Sequence, residues 1–367
     1  MKKENLKHAK LEHLDHQNLE IAVIGAGEFG YAMADYIAKL GYEPRLYDKD
    51  KKIMEGLTRK RRNPKHFTNI ILNQNITPEP DLEKAVQDAS LIIVAVPSKY
   101  VREAARQIKP CMQDNTVILS LAKGLEAIDN TEARTPTQAI TEELQGKEYA
   151  LAVLSGGMLA KEFIKGQDDF YATIASQNNK VAKDLKEILR SQNFHLDTWD
   201  DPIGVELAGA FKNVVAITAG MGHALGKAHS SICGFISAYS KEMEEIAIKL
   251  GAQRRETYSI KVQACGGDLM TTCFGQSRNR GYGIRIVEGR KEGLTPKDVL
   301  EEMRKENKTV EGYETTRAFY QQSQSLGLKS PLITQNYKVL YENKDPEQAI
   351  ETLKRLAGRI GITRNQH

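Results

Sequence analysis

The apolar positions change rhythm near residue 200. Before it, short and nearly unbroken apolar runs alternate with segments of helical spacing. The runs "LEIAVIG" (19–25), "EPRLYD" (43–48), "LIIVAVP" (91–97), "TVILSLA" (116–122), "YALAVLSG" (149–156), "YATIAS" (171–176) and "FHLDTWD" (194–200) predict strands. Most lack polar alternation, as expected for strands covered on both faces of a parallel sheet. Between them "GYAMADYIAKLGY" (30–42), "DLEKAVQDA" (81–89) and "SKYVREAARQIK" (98–109) carry apolar residues at helical steps. Strand and helix in alternation imply a doubly wound α/β domain. After "WDDPIGVE" the pattern is helices joined by Gly-rich loops, with Asp201 as N-cap and Pro202 at the first helical position. The expected organisation is an N-terminal extension (1–18), an α/β domain (19–200) and an all-α C-terminal domain (201–367), with no internal repeat.

One basic residue sits oddly in this pattern. Read as a helix, "VELAGAFKNVVAITAG" (205–220) puts Leu207, Phe211, Val214 and Thr218 on one face. Lys212 shares a stripe with Ala208, Gly209, Val215, Ala216 and Ala219, none of them acidic, so the helix offers it no ion-pair partner. Two readings stand side by side. Lys212 either snorkels to water past small residues or lies on the floor of a cleft, facing an anionic or carbonyl ligand. It lies just beyond the domain boundary.

Composition narrows the class. Apolar content of 40%, charged content of 27% and a net charge of +4 describe a globular chain suited to small anions. A nucleic-acid surface would be more basic, so none is expected. No stretch approaches the roughly 18 apolar residues of a membrane span, so no membrane insertion is expected. "MKKENLKHAKLEHLDHQN" has no apolar core and carries acidic residues, unlike a secretory or transit signal, and reads as a frayed or partly helical extension. Cys111, Cys233, Cys265 and Cys273 show no CxxC spacing, and the histidines are scattered. Neither a metal site nor a disulfide framework follows, and a reducing cytoplasm is the expected setting.

"IAVIGAGEFGYAMA" holds Gly25, Gly27 and Gly30 as GxGxxG between an apolar strand and a helix, the context a dinucleotide needs. Gly25 permits the tight turn, and Gly27 lets backbone approach a pyrophosphate at the helix N-terminus. Asp48, closing the second strand, would bond a ribose 2′-hydroxyl and favour NAD, whereas Lys49, Lys51 and Lys52 could accommodate the extra phosphate of NADP. Pro97-Ser98 ends a strand in a form suited to the sheet's carboxyl edge beside a cofactor.

Seven segments in order carry a resemblance: "IGAGEFGYAMA", "VAVPSKYVR", "LAKGLE", "VLSGGMLAKE", "IGVELAGAFKNVVAITAG", "GGDLMTTCFGQSRNR" and "VEGYETTR". Together they resemble the NAD(P)-dependent glycerol-3-phosphate dehydrogenases, from about residue 19 to about residue 355. The resemblance implies a Rossmann-type, mostly parallel sheet followed by a helical domain. It implies interconversion of sn-glycerol 3-phosphate and dihydroxyacetone phosphate by hydride transfer, supplying glycerophospholipid precursors. The family's catalytic lysine falls on Lys212 and its second active-site lysine on Lys123, with Asp268 and Thr272 beside them. Substrate contacts fall on Gly156, Ser277, Arg278 and Asn279 as well as on Lys123, Lys212, Asp268 and Thr272. Cofactor contacts fall on Gly25, Gly27, Glu28, Phe29, Gly30, Asp48, Lys49, Pro97, Lys123, Ala160, Arg278 and Glu311.

These assignments make chemical sense. Hydride addition to a ketone builds negative charge on oxygen, which a nearby cation stabilises and can protonate. Lys212 suits that task, with Lys123 as a second positive charge and Asp268 orienting the amine. Thr272 would bond a substrate hydroxyl, and the Arg278 fork suits a phosphate. The chain departs from the family at Gly157, Met158 and Leu159, at His223 and Ala224, and at Ser237, Ala238 and Tyr239. Two other readings remain: a dehydrogenase for another small phosphorylated or acidic hydroxy compound, and a non-catalytic nucleotide sensor. The expected partners are a phosphorylated small molecule and a second copy of the chain in a homodimer.

Overall fold

In a computed structural model, the described residues are Leu14, 18–128, 132–306 and 308–360. Most of the N-terminal extension lies outside them. The chain forms two compact units: residues 1–126 with 135–202, and residues 127–134 with 203–367.

The first unit is built on an eight-stranded sheet. Its strands are β1 (Ile21–Ile24), β2 (Arg45–Tyr47), β3 (Thr77–Pro78), β4 (Leu91–Val94), β5 (Thr116–Ser120), β6 (Tyr149–Gly156), β7 (Phe170–Ala175) and β8 (Phe194–Trp199). The order is β8-β7-β6-β5-β4-β1-β2-β3. Every pairing is parallel except β6 with β7, where Leu154 faces Ile174. The unbroken apolar runs have a direct cause. Along β1, β4 and β5, Ile21, Val23, Leu91, Ile93, Val117 and Leu119 enter one core, while Ala22, Ile24, Ile92, Val94 and Ile118 enter the other. Each fully buried aliphatic side chain contributes about 1.5–3 kcal/mol against leaving it in water, so both faces stay covered.

Local caps follow their residues. Asp50, Asp81 and Asn178 accept backbone N–H groups at the starts of helices Lys51–Lys60, Leu82–Val86 and Asn179–Leu189. Thr135 and Gln138 form a reciprocal capping box before Pro136–Glu143. The apolar pattern does not reveal β3, a two-residue edge strand containing proline, which has no side-chain alternation to read. "SKYVREAARQIK" begins with a tight turn, Ser98–Tyr100, and becomes α-helical only at Val101–Ile108.

In the second unit a helix runs from Pro202 to Ala224 and is buried almost all round. Among the described residues it alone is long and apolar enough to cross a membrane, which the sequence reading did not anticipate. Its most apolar window is 89% buried by the protein itself, as expected of a core helix. Phe211 meets Phe319 and Tyr239 edge to face, at 4.9 and 6.2 Å between ring centroids. The Thr218 hydroxyl bonds Tyr239 (2.9 Å) and Asn336 (2.7 Å), and the Asn336 amide donates to the Val214 carbonyl (2.8 Å). Backbones approach closely at three glycines. A methyl on Gly220 would lie 2.1 Å from the Arg280 carbonyl oxygen, one on Gly283 2.1 Å from that of Ile217, and one on Gly312 2.6 Å from that of Asn213.

Helix His229–Lys249 supplies Glu242, a buried carboxyl that accepts the N–H groups of Leu332 and Ile333, each at 2.9 Å. These lie in the first turn of helix Pro331–Glu342. Burial pushes the Glu242 carboxyl up to about 7 despite those two donors. A single wide helical turn, Gln263–Gly267, leads into helix Asp268–Phe274. Its glycines have a packing reason: a methyl on Gly266 would lie 2.7 Å from the Ile260 Cα.

Candidate active site

The first unit presents a phosphate-type turn. Gly25 N–H donates to the Tyr47 carbonyl (2.8 Å), tying the turn to β2. Gly25 has φ +108°, and a methyl there would lie 2.8 Å from the Ala95 carbonyl oxygen, so only glycine fits. A methyl on Gly30 would lie 1.9 Å from the Gly25 oxygen, so helix Glu28–Lys39 meets the turn backbone to backbone. Gly27 is different: nothing lies within 4 Å of the position its Cβ would occupy. The protein's own packing does not require glycine there, whereas a ligand seated on the helix N-terminus would. The residues present therefore fit a dinucleotide pyrophosphate.

Around this turn, the Ala26 N–H donates to Asp48 Oδ2 (2.7 Å), and Asp48 Oδ1 accepts from the Asp50 N–H (2.8 Å). Lys49 stands over the Tyr100 ring, 3.7 Å from its centroid. The Phe29 ring packs on Phe163, which ends the short helix begun by Ala160. Glu28 is half-buried at the start of its helix, and Pro97 is exposed beyond β4. The Lys123 amine donates to the Gly156 carbonyl (2.8 Å), and Gly124 beside it has φ +126°. Gly156 is itself fixed by the sheet, since a methyl would meet the Tyr171 oxygen at 2.6 Å.

The second unit holds the other cluster. From Gly204 to Gly222, Lys212 is the one residue of its helix that is not buried, with 11% of its side chain exposed. Its amine is ion-paired with the Asp268 carboxylate, whose side chain is 2% exposed. Snorkelling to bulk water does not describe such an ammonium. It is held by a buried carboxylate, a pairing that a buried charge requires. Thr272 donates to the Asp268 carbonyl (2.6 Å), one turn back in the same helix.

Beside the pair runs a chain of amides. Asn279 donates to Asn213 Oδ1 (2.8 Å) and accepts the Gly312 N–H (2.8 Å), while Asn213 donates to Glu311 Oε2 (3.3 Å). Asn279 is thus committed to holding helices together, and Glu311 is tied to the residue after Lys212. Ser277 caps helix Arg278–Lys291, accepting from the Arg280 N–H (3.1 Å) and donating to the Thr272 carbonyl (2.7 Å). Arg278, the first residue of that helix, is exposed. Of the residues singled out by sequence, Lys212, Asp268, Thr272, Asn279 and Glu311 come together in this unit. The glycine turn, Asp48, Phe29 and Ala160 form the cluster of the other.

Two residues of these clusters escaped the sequence reading. Asn213 directly follows Lys212 and is 3% exposed; a second polar residue inside an apolar stripe was the available signal. Asn63 is fully buried and donates to the Ala26 carbonyl (2.8 Å). Its only signal was an Asn-Pro step within a basic run. Met158, one of the departures from the family pattern, is buried in the core of the first unit.

The sequence pattern of the NAD-dependent glycerol-3-phosphate dehydrogenase N-terminus matches residues 20–182, and that of its C-terminus matches residues 201–351. The chain is 33% identical over 335 residues to glycerol-3-phosphate dehydrogenase [NAD(P)+] of Clostridium botulinum, covering 91% of this chain and 96% of that one. It is 32% identical to the protein of the same name from Fusobacterium nucleatum, with the same coverage. The crystal structure of glycerol-3-phosphate dehydrogenase from Coxiella burnetii superposes with a TM-score of 0.81 at 28% identity, covering 91% of this chain and 98% of that one.

Proposed function

Since the chain belongs to the NAD-dependent glycerol-3-phosphate dehydrogenase family, we propose that Lys212 is the group that moves the proton in its reaction. The protein is an NAD(P)-dependent oxidoreductase interconverting sn-glycerol 3-phosphate and dihydroxyacetone phosphate. The observation that carries the role of Lys212 is its ammonium, ion-paired with buried Asp268 on a stretch of helix, Gly204 to Gly222, whose other residues are all buried.

The Gly25–Gly30 turn would hold NAD(P)H, which when bound would supply the hydride. Charge then grows on the ketone oxygen, and Lys212 stabilises it and donates a proton; in the other direction neutral Lys212 accepts the alcohol proton. Such general acid–base assistance contributes roughly 10²–10⁴-fold. Asp268 fixes the amine's direction, and the Asn279–Asn213–Glu311 chain fixes the backbone beside it. Arg278, exposed at the start of its helix, offers its fork to the substrate phosphate. Lys123, anchored on the Gly156 carbonyl, adds a second positive charge.

Two finer points belong to the same reading. Four cysteines without paired CxxC spacing support a reducing, cytoplasmic setting. Exposed Ile260, Met270 and Phe274 support a homodimer, which light scattering on a sizing column would test. The function is tested by following NADH and NADPH oxidation separately, with dihydroxyacetone phosphate and a panel of other phosphorylated ketones. A better substrate than dihydroxyacetone phosphate would overturn the assignment. Cofactor binding without turnover of any ketone would make the protein a sensor.

A further inference from the structure

Ala26, in the middle of the glycine turn, is gripped through the peptide groups on both sides of it. Its N–H donates to Asp48 Oδ2 (2.7 Å), and its carbonyl accepts from Asn63 Nδ2 (2.8 Å). Asn63 is fully buried, and its own carbonyl oxygen accepts the N–H groups of Lys65 (2.9 Å) and His66 (3.0 Å). The segment carrying it is braced in turn. Arg61 donates to the carbonyls of Asn73 (2.6 Å) and Ile76 (3.1 Å), and Pro64 sits where a side chain on Gly56 would be, 2.7 Å from the Cβ position.

These two groups belong to successive peptide units, Gly25–Ala26 and Ala26–Gly27; each is planar, so Asp48 and Asn63 between them fix both planes of the turn. The second plane carries the Gly27 N–H and leads into the first N–H groups of helix Glu28–Lys39, and these are the groups an anion meets. We propose that Asn63 is a positioning residue for the cofactor pyrophosphate, acting with Asp48 through the two peptide planes that meet at Ala26. The proposal rests on the reading that NAD(P) binds at this turn. It also gives Asp48 a task other than reading the ribose, because each of its oxygens already accepts a backbone N–H.

The test uses NADH and NADPH, which share the pyrophosphate and differ only at the adenosine 2′ position. Asn63→Ser keeps an acceptor for Lys65 and His66 but is too short to reach the Ala26 oxygen. Its dissociation constants for both cofactors, measured by calorimetry without substrate, are expected to rise together by about tenfold, the worth of one lost buried hydrogen bond. The cofactor KM values should follow, with kcat falling less. Asp48→Asn, nearly isosteric, should raise both constants in the same proportion. Unequal factors for the two cofactors would overturn the proposal by making these residues readers of the 2′ position. A lowered melting temperature with unchanged dissociation constants would overturn it by making Asn63 merely structural. If the unaltered protein bound neither cofactor, both the proposal and the reading beneath it would fall.

Discussion

Glu242 should make the second unit less stable as pH rises through neutrality. Two effects compete at its carboxylate. The N-terminus of helix Pro331–Glu342 and two backbone donors at 2.9 Å favour the charge, by about 2 kcal/mol at most for the helix end. Burial opposes it and wins, raising the carboxyl from 4.5 to about 7. A carboxyl that holds its proton more tightly when folded adds stability that is complete below pH 4.5 and lost as pH rises to about 7. The difference corresponds to about 3 kcal/mol. Neighbouring Tyr239, which burial also pushes up, stays neutral across this range.

Glu242→Gln removes the titration and keeps the shape. Its stability relative to the unaltered protein should therefore improve by about 3 kcal/mol between pH 4.5 and pH 8, whatever offset the lost acceptor introduces. Circular dichroism in urea would follow the unfolding. Hydrogen exchange of a peptide spanning 328–342 would localise it to Leu332 and Ile333. The one tryptophan, Trp199, lies in the first unit and is the wrong probe. A difference between the two proteins that stayed constant over this pH range would refute the reasoning. So would a difference that favoured glutamate at high pH.

Further outcomes follow from the same structure. Lys212→Ala should lower kcat by roughly 10²–10⁴-fold while calorimetry finds NADH affinity within about twofold, because the amine lies in the unit without the glycine turn. Arg278→Ala should raise the KM for dihydroxyacetone phosphate by about tenfold or more, the worth of a charged hydrogen bond of about 1.5–3 kcal/mol; an unchanged KM would remove Arg278 from the phosphate. Gly27→Ala should melt like the unaltered protein yet bind NADH poorly, since its methyl has room. Gly30→Ala, with a methyl 1.9 Å from the Gly25 oxygen, should lose about 1–3 kcal/mol of stability. At pH 8 an alkylating reagent should label exposed Cys233 first. Buried Cys265 and Cys273, whose thiols burial pushes up to about 12, should react only after unfolding, as read by peptide mass spectrometry.

The central strands were legible because a strand covered on both faces leaves an unbroken apolar run, as at Ile21–Ile24 and Leu91–Val94. The glycine turn was legible from its context between strand and helix. Thr77–Pro78 was not, being too short to show a period. The grouping of residues 127–134 with the second unit was equally hidden, because it depends on contacts such as the Gln322 amide to the Ala133 carbonyl. Residue pattern alone left Lys212 ambiguous between snorkelling and a cleft. Its carboxylate stands 56 positions away, a distance no helical spacing can announce. Asn63 and Asn213 stayed hidden for a related reason: an asparagine's task is defined by the partner the fold brings to it.

The three glycine contacts on the Lys212 helix have an evolutionary corollary. Where main chain rests on main chain, at Gly220 against Arg280, Gly283 against Ile217 and Gly312 against Asn213, no rotamer can absorb a change. The amine's address is therefore nearly immune to drift among its apolar neighbours. Redirecting this scaffold to a new substrate should succeed at exposed positions such as Arg278 and fail along the helix itself.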